Sequence, residues 1–208
     1  EQILSFNPDL VVATIRHGSE QSTADQVASA GVQMVEFPSS SFNSPEAYAD
    51  ALRQMGELTG YPAKAEKYAT DLLDAIQEID AQKKGNSPRV VALMFRGGKV
   101  MAFSGDNMVP GLAKRAGAVD AAAEAGITAT GPIDAELLVK ANPDIIFLEG
   151  LRDGDEAQFD ELLSNPAVAD VPAVANGNVH LLPTTEASSL AGINLPVGYQ
   201  KIMDIING

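Results

Sequence analysis

The sequence predicts an α/β protein of two similar lobes, each built on a parallel sheet, joined by one long helix. Three observations carry that expectation. A segment at the start of the chain recurs from residue 136. Unbroken apolar strand candidates follow helix candidates in both copies. A single long amphipathic segment separates the copies.

The repeat constrains the topology most. Glu1-Gln-Ile-Leu-Ser-Phe-Asn7-Pro8-Asp9-Leu-Val-Val returns as Glu136-Leu-Leu-Val-Lys-Ala-Asn142-Pro143-Asp144-Ile-Ile-Phe, with Glu, Asn, Pro and Asp in matching places. Each copy reads as a short apolar helix stopped at Asn-Pro, because proline disfavours the α region in the residue before it. A buried strand follows, Leu10 to Ala13 in one copy and Ile145 to Leu148 in the other. The first copy continues with a loop from Thr14 to Gln21, a helix from Ser22 to Ala30 and a strand from Val32 to Phe37. The second continues with a loop from Glu149 to Gly154, a helix from Asp155 to Ser164 and a strand from Val179 to Leu182. Two β–α–β units imply two Rossmann-like lobes.

Between the copies, Ser44 is placed to cap a helix opening at Pro45, with Tyr48, Leu52, Met55 and Leu58 on one face. Pro62 then suits the first position of a longer helix, in which Ala65, Ala69, Leu72, Leu73, Ile76 and Ile79 recur at helical spacing. Gly85-Asn86-Ser87-Pro88 stops it. From Pro62 to Lys83 such a helix spans about 33 Å, enough for a strut between lobes. The second lobe begins with a strand from Arg89 to Phe95, a hairpin piece from Val100 to Phe103 and a helix around Pro110 to Ala116. A helix capped by Asp134 then carries Glu136. No counterpart of residues 89–135 precedes Glu1, so the first lobe is expected to lack its N-terminal strand and helix, about 50 residues, the plainer alternative being an imperfect repeat with a smaller first lobe. A sheet short of one member exposes an unpaired edge, which would permit dimerisation. The expected divisions are 1–60 for the incomplete N-terminal lobe, 61–86 for the linker helix and 87–208 for the C-terminal lobe.

Composition excludes several classes of function. Acidic residues outnumber basic ones 28 to 14, giving a net charge of −14. No basic surplus exists to neutralise phosphates, so neither nucleic acid nor an anionic membrane is an expected partner. A local arginine cluster is still compatible with that charge. The absence of cysteine removes disulfides, thiolate metal sites, iron–sulfur clusters and cysteine nucleophiles. With His17 and His180 as the two histidines, a multi-histidine zinc or copper site is excluded. No Gly-x-Ser-x-Gly, phosphate-loop or His-Glu-x-x-His motif occurs, and Gly97-Gly98 with Gly105 does not fit dinucleotide spacing. The expectation is therefore a protein that is not an enzyme. Two readings from other classes are a hydrolase using the cleft with His17, a serine and an aspartate, and an interaction module without a ligand.

The order and spacing of these segments resemble the binding proteins that serve ABC importers of ferric siderophores, haem or cobalamin. Residues 1–13 look like that family's L-x-P-D-L-V segment, and Ala30-Gly31-Val32 to Val35 resembles the strand after it. Leu58-Thr59-Gly60 with residues 63–81 resembles its linker helix, and 104–118 with 133–148 its second lobe. The resemblance covers nearly the whole chain, but without the family's first strand and helix. It implies a shallow cleft between lobes and a periplasmic or extracellular location, with a lipid anchor in the precursor as an open alternative. It also implies delivery of the ligand to an ABC permease in the cytoplasmic membrane. No resident cofactor is expected; the ligand would be an iron complex, a ferric siderophore first and haem next, with cobalamin as the alternative.

In such folds ligands lie at the carboxyl ends of parallel strands. Arg16, Arg96 and Arg152 each follow such an end. Three guanidinium groups at one edge of an acidic protein point to an anionic ligand such as a catecholate, a carboxylate siderophore or a haem propionate. Solvated loop arginines are the plainer alternative. His17 is the candidate axial ligand if haem binds, or else an exposed loop histidine. Met101 and Met108 could flank the cleft or fill the core, and residues 184–194 could line the cleft or form a surface loop. His180, within an apolar strand, is expected to pack or bond within the core. By the resemblance, Glu1 and Glu136, one per repeat, become the permease-docking pair. A first-turn glutamate is equally favoured by the helix dipole.

Overall fold

The structure is a computed structural model that describes residues 2–14, 18–103 and 107–208, apart from the side chains of 18–20. Glu1, Arg16 and His17 lie outside the described residues.

Helix α1 (Gln2–Ser5) leads into strand β1 (Leu10–Ala13), helix α2 (Gly18–Ser29) and strand β2 (Gln33–Glu36). The two strands pair in parallel, Leu10 opposite Gln33 and Ala13 opposite Glu36. Asn7 and Asn142 hold the two positive non-glycine φ angles among the described residues, 48° and 45°. In each copy of the repeat, then, a left-handed asparagine ends the helix just before proline. The Asn7 amide donates to the Leu4 carbonyl (3.0 Å) and the Asn142 amide to the Leu138 carbonyl (3.0 Å). Asparagine tolerates this region better than other side-chain-bearing residues, which explains its recurrence.

Helix α3 (Pro45–Thr59) is capped by Ser44, whose Oγ accepts from the Ala47 amide (3.1 Å). Its most buried face differs from the expected one: Tyr48, Leu52, Met55 and Leu58 are half-buried, while Ala49, Ala51 and Gly56 are buried. The cause is close approach to helix α4 (Pro62–Asp80). A Cβ on Gly56 would stand 2.3 Å from the Ala65 Cβ, so small residues are required there. Arg53 clamps the same pair of helices by bonding both oxygens of Glu66 (2.8 and 3.2 Å). Helix α4 ends at Asp80, three residues before the expected Lys83. The Gln82 amide turns back to the Ile79 carbonyl (2.9 Å), a tightened last turn that closes the helix.

A mixed sheet of six strands follows. Strand β3 (Arg89–Arg96) is central, with β4 (Lys99–Ala102) antiparallel on one side. After helix α5 (Met108–Ala116), β5 (Val119–Asp120) pairs with the start of β3. Helix α6 (Ala121–Glu124) leads to β6 (Gly131–Pro132), which pairs with β4, and then to helix α7 (Ala135–Ala141). Asp134 caps α7 by accepting from the Leu137 amide (2.9 Å). Strand β7 (Ile145–Gly150) lies parallel to β3, giving the order β6-β4-β3-β7 before the last strand is added. The helix expected from Asp155 to Ser164 is instead a 3₁₀ turn (Asp155–Phe159) and a short α8 (Asp160–Leu163), with Phe159 fully buried and Asn165-Pro166 barring continuation. Helix α9 (Pro172–Ala175) precedes β8 (Val179–Pro183), parallel to β7. The chain closes with α10 (Thr184–Ala187) and α11 (Leu195–Asn207).

Gly97 and Gly98, at φ 61° and 77°, form the two-residue turn between β3 and β4. Two successive left-handed residues match the twist of a tight hairpin, which makes this glycine pair a turn rather than a ligand loop.

The central strands alternate between two cores. Val90, Ala92 and Phe147 face α4, α5 and α11, while Val91, Leu93, Ile146 and Leu148 face α6, α7 and Phe159. One cluster ties the helices on the first of these faces. Arg115 donates to Asp80 (2.9 Å) and to Glu46 (2.5 Å), and the Tyr199 hydroxyl donates to Asp80 (2.6 Å). Burial raises Asp80 by itself, yet the bonds from Arg115 and Tyr199 outweigh it and hold the carboxyl below its ordinary value. Burial, then the bond to Asp80, pushes the Tyr199 hydroxyl well up. Among the described residues no helix is long and apolar enough to cross a membrane.

Candidate functional site

Parallel strands end together, so β3, β7 and β8 bring Met94 to Arg96, Glu149 to Gly150 and Pro183-Thr184 to one edge of the sheet. Two adjacent cavities open there, of about 350 and 410 Å³, and they share Met94, Arg96, Glu149 and Thr184. The smaller adds Arg152 and Asp155. The larger adds Met108, Ser188 and Leu190, and also Ser39 and Asn43 from the chain before α3, so it lies between the two sheets.

Arg96 is exposed at the rim of both cavities. Arg152 is exposed in the turn after β7, where Asp155 Oδ2 accepts from the Leu151 amide (2.7 Å) and the Arg152 amide (3.0 Å) and so fixes the turn. Met108 is buried at the start of α5 and lines the larger cavity. The structure therefore brings Arg96 together with Arg152 in one cavity and with Met108 in the other. Met101 lines neither. Residues 184–194 are not a plain loop: α10 and a 3₁₀ turn (Gly192–Asn194) form there, and Thr184, Ser188, Ser189 and Leu190 line the cleft. Glu136 is exposed in the first turn of α7 and lines neither cavity. His180 is half-buried; its Nε2 donates to Asn178 Oδ1 (2.6 Å), its ring stands 6.3 Å from that of Phe147, and burial lowers its pKa.

Sequence reasoning missed Glu149, treating it as the first residue of a loop. It is the fifth residue of β7, paired with Met94 on one side and Leu182 on the other. Burial pushes its carboxyl up to about 7. Among the described residues it enters no ion pair, and neither does Arg96. Beside it Thr184 is 8% exposed and its hydroxyl has no hydrogen-bond partner. The available signal was a charged side chain closing an otherwise apolar strand, Ile145-Ile-Phe-Leu-Glu149. Among the described residues no group of three or more His, Cys, Asp and Glu side chains converges to hold a metal ion.

Comparison with known proteins adds to this geometry. The ferric-anguibactin-binding protein FatB of Vibrio anguillarum is 25% identical over 187 residues, 86% of this chain and 57% of that protein. The vitamin B12-binding protein of Salmonella typhimurium is 32% identical over 95 residues, 46% of this chain and 34% of that protein. The chain thus spans little more than half the length of the first relative and about a third of the second. Among solved structures, the periplasmic heme-binding protein RhuT of Roseiflexus sp. RS-1 superposes with a TM-score of 0.84 at 25% identity, covering 98% of this chain and 77% of that one. The periplasmic heme-binding protein HutB of Vibrio cholerae, at 20% identity and a TM-score of 0.80, covers all of this chain and 80% of its own, and shares the fold. The sequence profile described as Periplasmic binding protein matches residues 1–185. With its two lobes, connecting helix and cleft at the strand ends, this chain belongs to the periplasmic binding protein family, whose members bind substrates rather than transform them.

Proposed function

We propose that this protein captures an anionic iron chelate in the cleft at the ends of β3, β7 and β8, outside the cytoplasmic membrane, and hands it to an ABC permease. A ferric siderophore is the first assignment, haem the second and cobalamin the alternative. The observation that carries this reading is the pair of arginines, Arg96 and Arg152, that line one cavity and enter no ion pair among the described residues, in a protein of net charge −14. A guanidinium without a protein carboxylate is available for a ligand's anionic oxygens. A chelate also fits a cleft whose described residues hold no cluster of metal-ligating side chains, because it brings its own donors to iron. The relatives named above, which bind ferric anguibactin, heme and vitamin B12, support the same ligand range.

The test is titration of the purified protein with a ferric tris-catecholate, haemin and cyanocobalamin. Absorbance and tyrosine emission serve as readouts, since the chain has four tyrosines and no tryptophan. An anionic chelate should bind saturably, and alanine at Arg16, Arg96 and Arg152 together should weaken it by at least 100-fold, about 3 kcal/mol for charged hydrogen bonds lost. Cobalamin affinity should change little. Equal loss for both ligands, or no loss, rules out the arginine assignment. We also assign Glu136 to permease docking, with Glu1 as its counterpart. Lysine at Glu136 should stop uptake in cells while leaving solution affinity unchanged, and a drop in affinity would refute the docking role.

A further inference from the structure

Glu149 has no role in the reading above. An unpaired carboxylate on the floor of a cleft for an anionic ligand would repel that ligand. The neighbours of Glu149 on the adjoining strands, Met94 and Leu182, carry no charge. From α10 the cavity receives Thr184, also uncharged, while Glu186 on that helix pairs with Lys201 and lines neither cavity. From the segment before α3 come Ser39 and Asn43. Among the described residues the charged groups on the cavity walls are Arg96, Arg152 and Asp155, and Asp155 is engaged by two backbone amides. None of the three forms an ion pair with Glu149. Thr184, more than nine-tenths buried, shares both cavities with Glu149, and its hydroxyl has no partner.

We propose that Glu149 binds the ligand in its acid form, donating a hydrogen bond with the Thr184 hydroxyl to an anionic oxygen held between Arg96 and Arg152, so that each ligand bound requires one proton on Glu149. This rests on the anionic-chelate reading above and deepens it. The site selects for an oxygen-rich anion by two neutral donors and two cations, and capture weakens as the solution becomes alkaline. The raised pKa of about 7 agrees with this role, because it keeps the acid form populated near neutrality. The proton balance is simple: below that value the acid form is already present, and above it binding takes one proton from solvent.

The experiment compares wild type with Glu149→Gln, a neutral side chain of the same shape, using haemin and a ferric tris-catecholate at pH 6, 7 and 8. Taking the ratio of the two Kd values at each pH cancels protonation of the probe itself. The variant should match wild type at pH 6 and bind about tenfold more tightly at pH 8, one unit above the midpoint. Thr184→Val should weaken both proteins at every pH. A ratio that stays flat with pH overturns the proposal, as does weaker binding by Glu149→Gln at every pH, which would make Glu149 an acceptor for a donor group on the ligand. Binding with a flat ratio overturns this inference alone, whereas failure of every chelate to bind wild type overturns the function proposed above and this inference with it.

Discussion

The two copies of the repeat begin alike and end in different surroundings. In both, a left-handed asparagine precedes proline and a strand pairs in parallel with the next strand of its β–α–β unit. Yet neither β1 nor β2 contains a fully buried residue, whereas every residue of β7 but Glu149 is buried. Val12 is 40% exposed, while its counterpart in the repeat, Phe147, is completely buried. The shared residues encode a local path, helix stop then strand. How much each strand contributes to stability depends on what covers it, which in the second copy is α4, α5 and α11 on one face and α6 and α7 on the other.

The largest expected effect sharpens that contrast. Phe147→Ala should destabilise by about 3–5 kcal/mol in urea unfolding, the range for a fully buried aromatic. Val12→Ala, at the matching position, should cost under about 1 kcal/mol. Similar losses at the two sites would break the comparison. A second effect follows from Glu149. Its folded-state pKa is raised from 4.5 to about 7, so its contribution to stability is fully present below about pH 4.5 and is lost as pH rises through about 7. Glu149→Gln should therefore equal wild type near pH 4 and exceed it at pH 8 by up to about 3 kcal/mol, less whatever solvent at the cleft mouth screens. The first copy, with no such group among its described residues, predicts no matching term. A smaller effect concerns the helices covering the second copy. Asp80 is held below its ordinary value, so the stability it supplies is present above about pH 4 and lost as pH falls through its folded-state value. Asp80→Asn should cost about 2 kcal/mol at pH 7, measured by chemical denaturation, with the difference shrinking in acid.

Much of this was legible in the sequence because the signals were local. Ser44, Asp134 and Pro62 mark helix starts by their own chemistry, and Asn-Pro marks two stops. The positions of Arg96 and Arg152 followed from strand ends alone. Other features depend on partners distant in the chain. The small face of α3 is set by how closely α4 approaches Gly56, which no periodicity of large apolar residues reveals. Helix α11 carries a readable stripe, Tyr199, Ile202, Met203 and Ile206, but the core it joins, built with α4 and α5, lies far away in the chain. The antiparallel pairing of β4 was legible as a hairpin piece after the Arg89 strand, and Gly97-Gly98 supplies its tight turn. Glu149 was the hardest to see, since its altered acidity comes from burial among residues on β3, β8 and α10 that sequence distance hides.

The Gly97-Gly98 turn has a consequence for how this pocket could diversify. Arg96 and Lys99 face each other across it as the last rung of the β3–β4 ladder. Alanine at either glycine would strain a left-handed position, and an inserted residue would change the rung. Either alteration would re-aim the Arg96 guanidinium, the group proposed above to meet the ligand, without replacing the arginine itself. Replacing this hairpin by one of another length, with Arg96 kept, is expected to change ligand preference under the function proposed above, and comparative titration of chelates checks it.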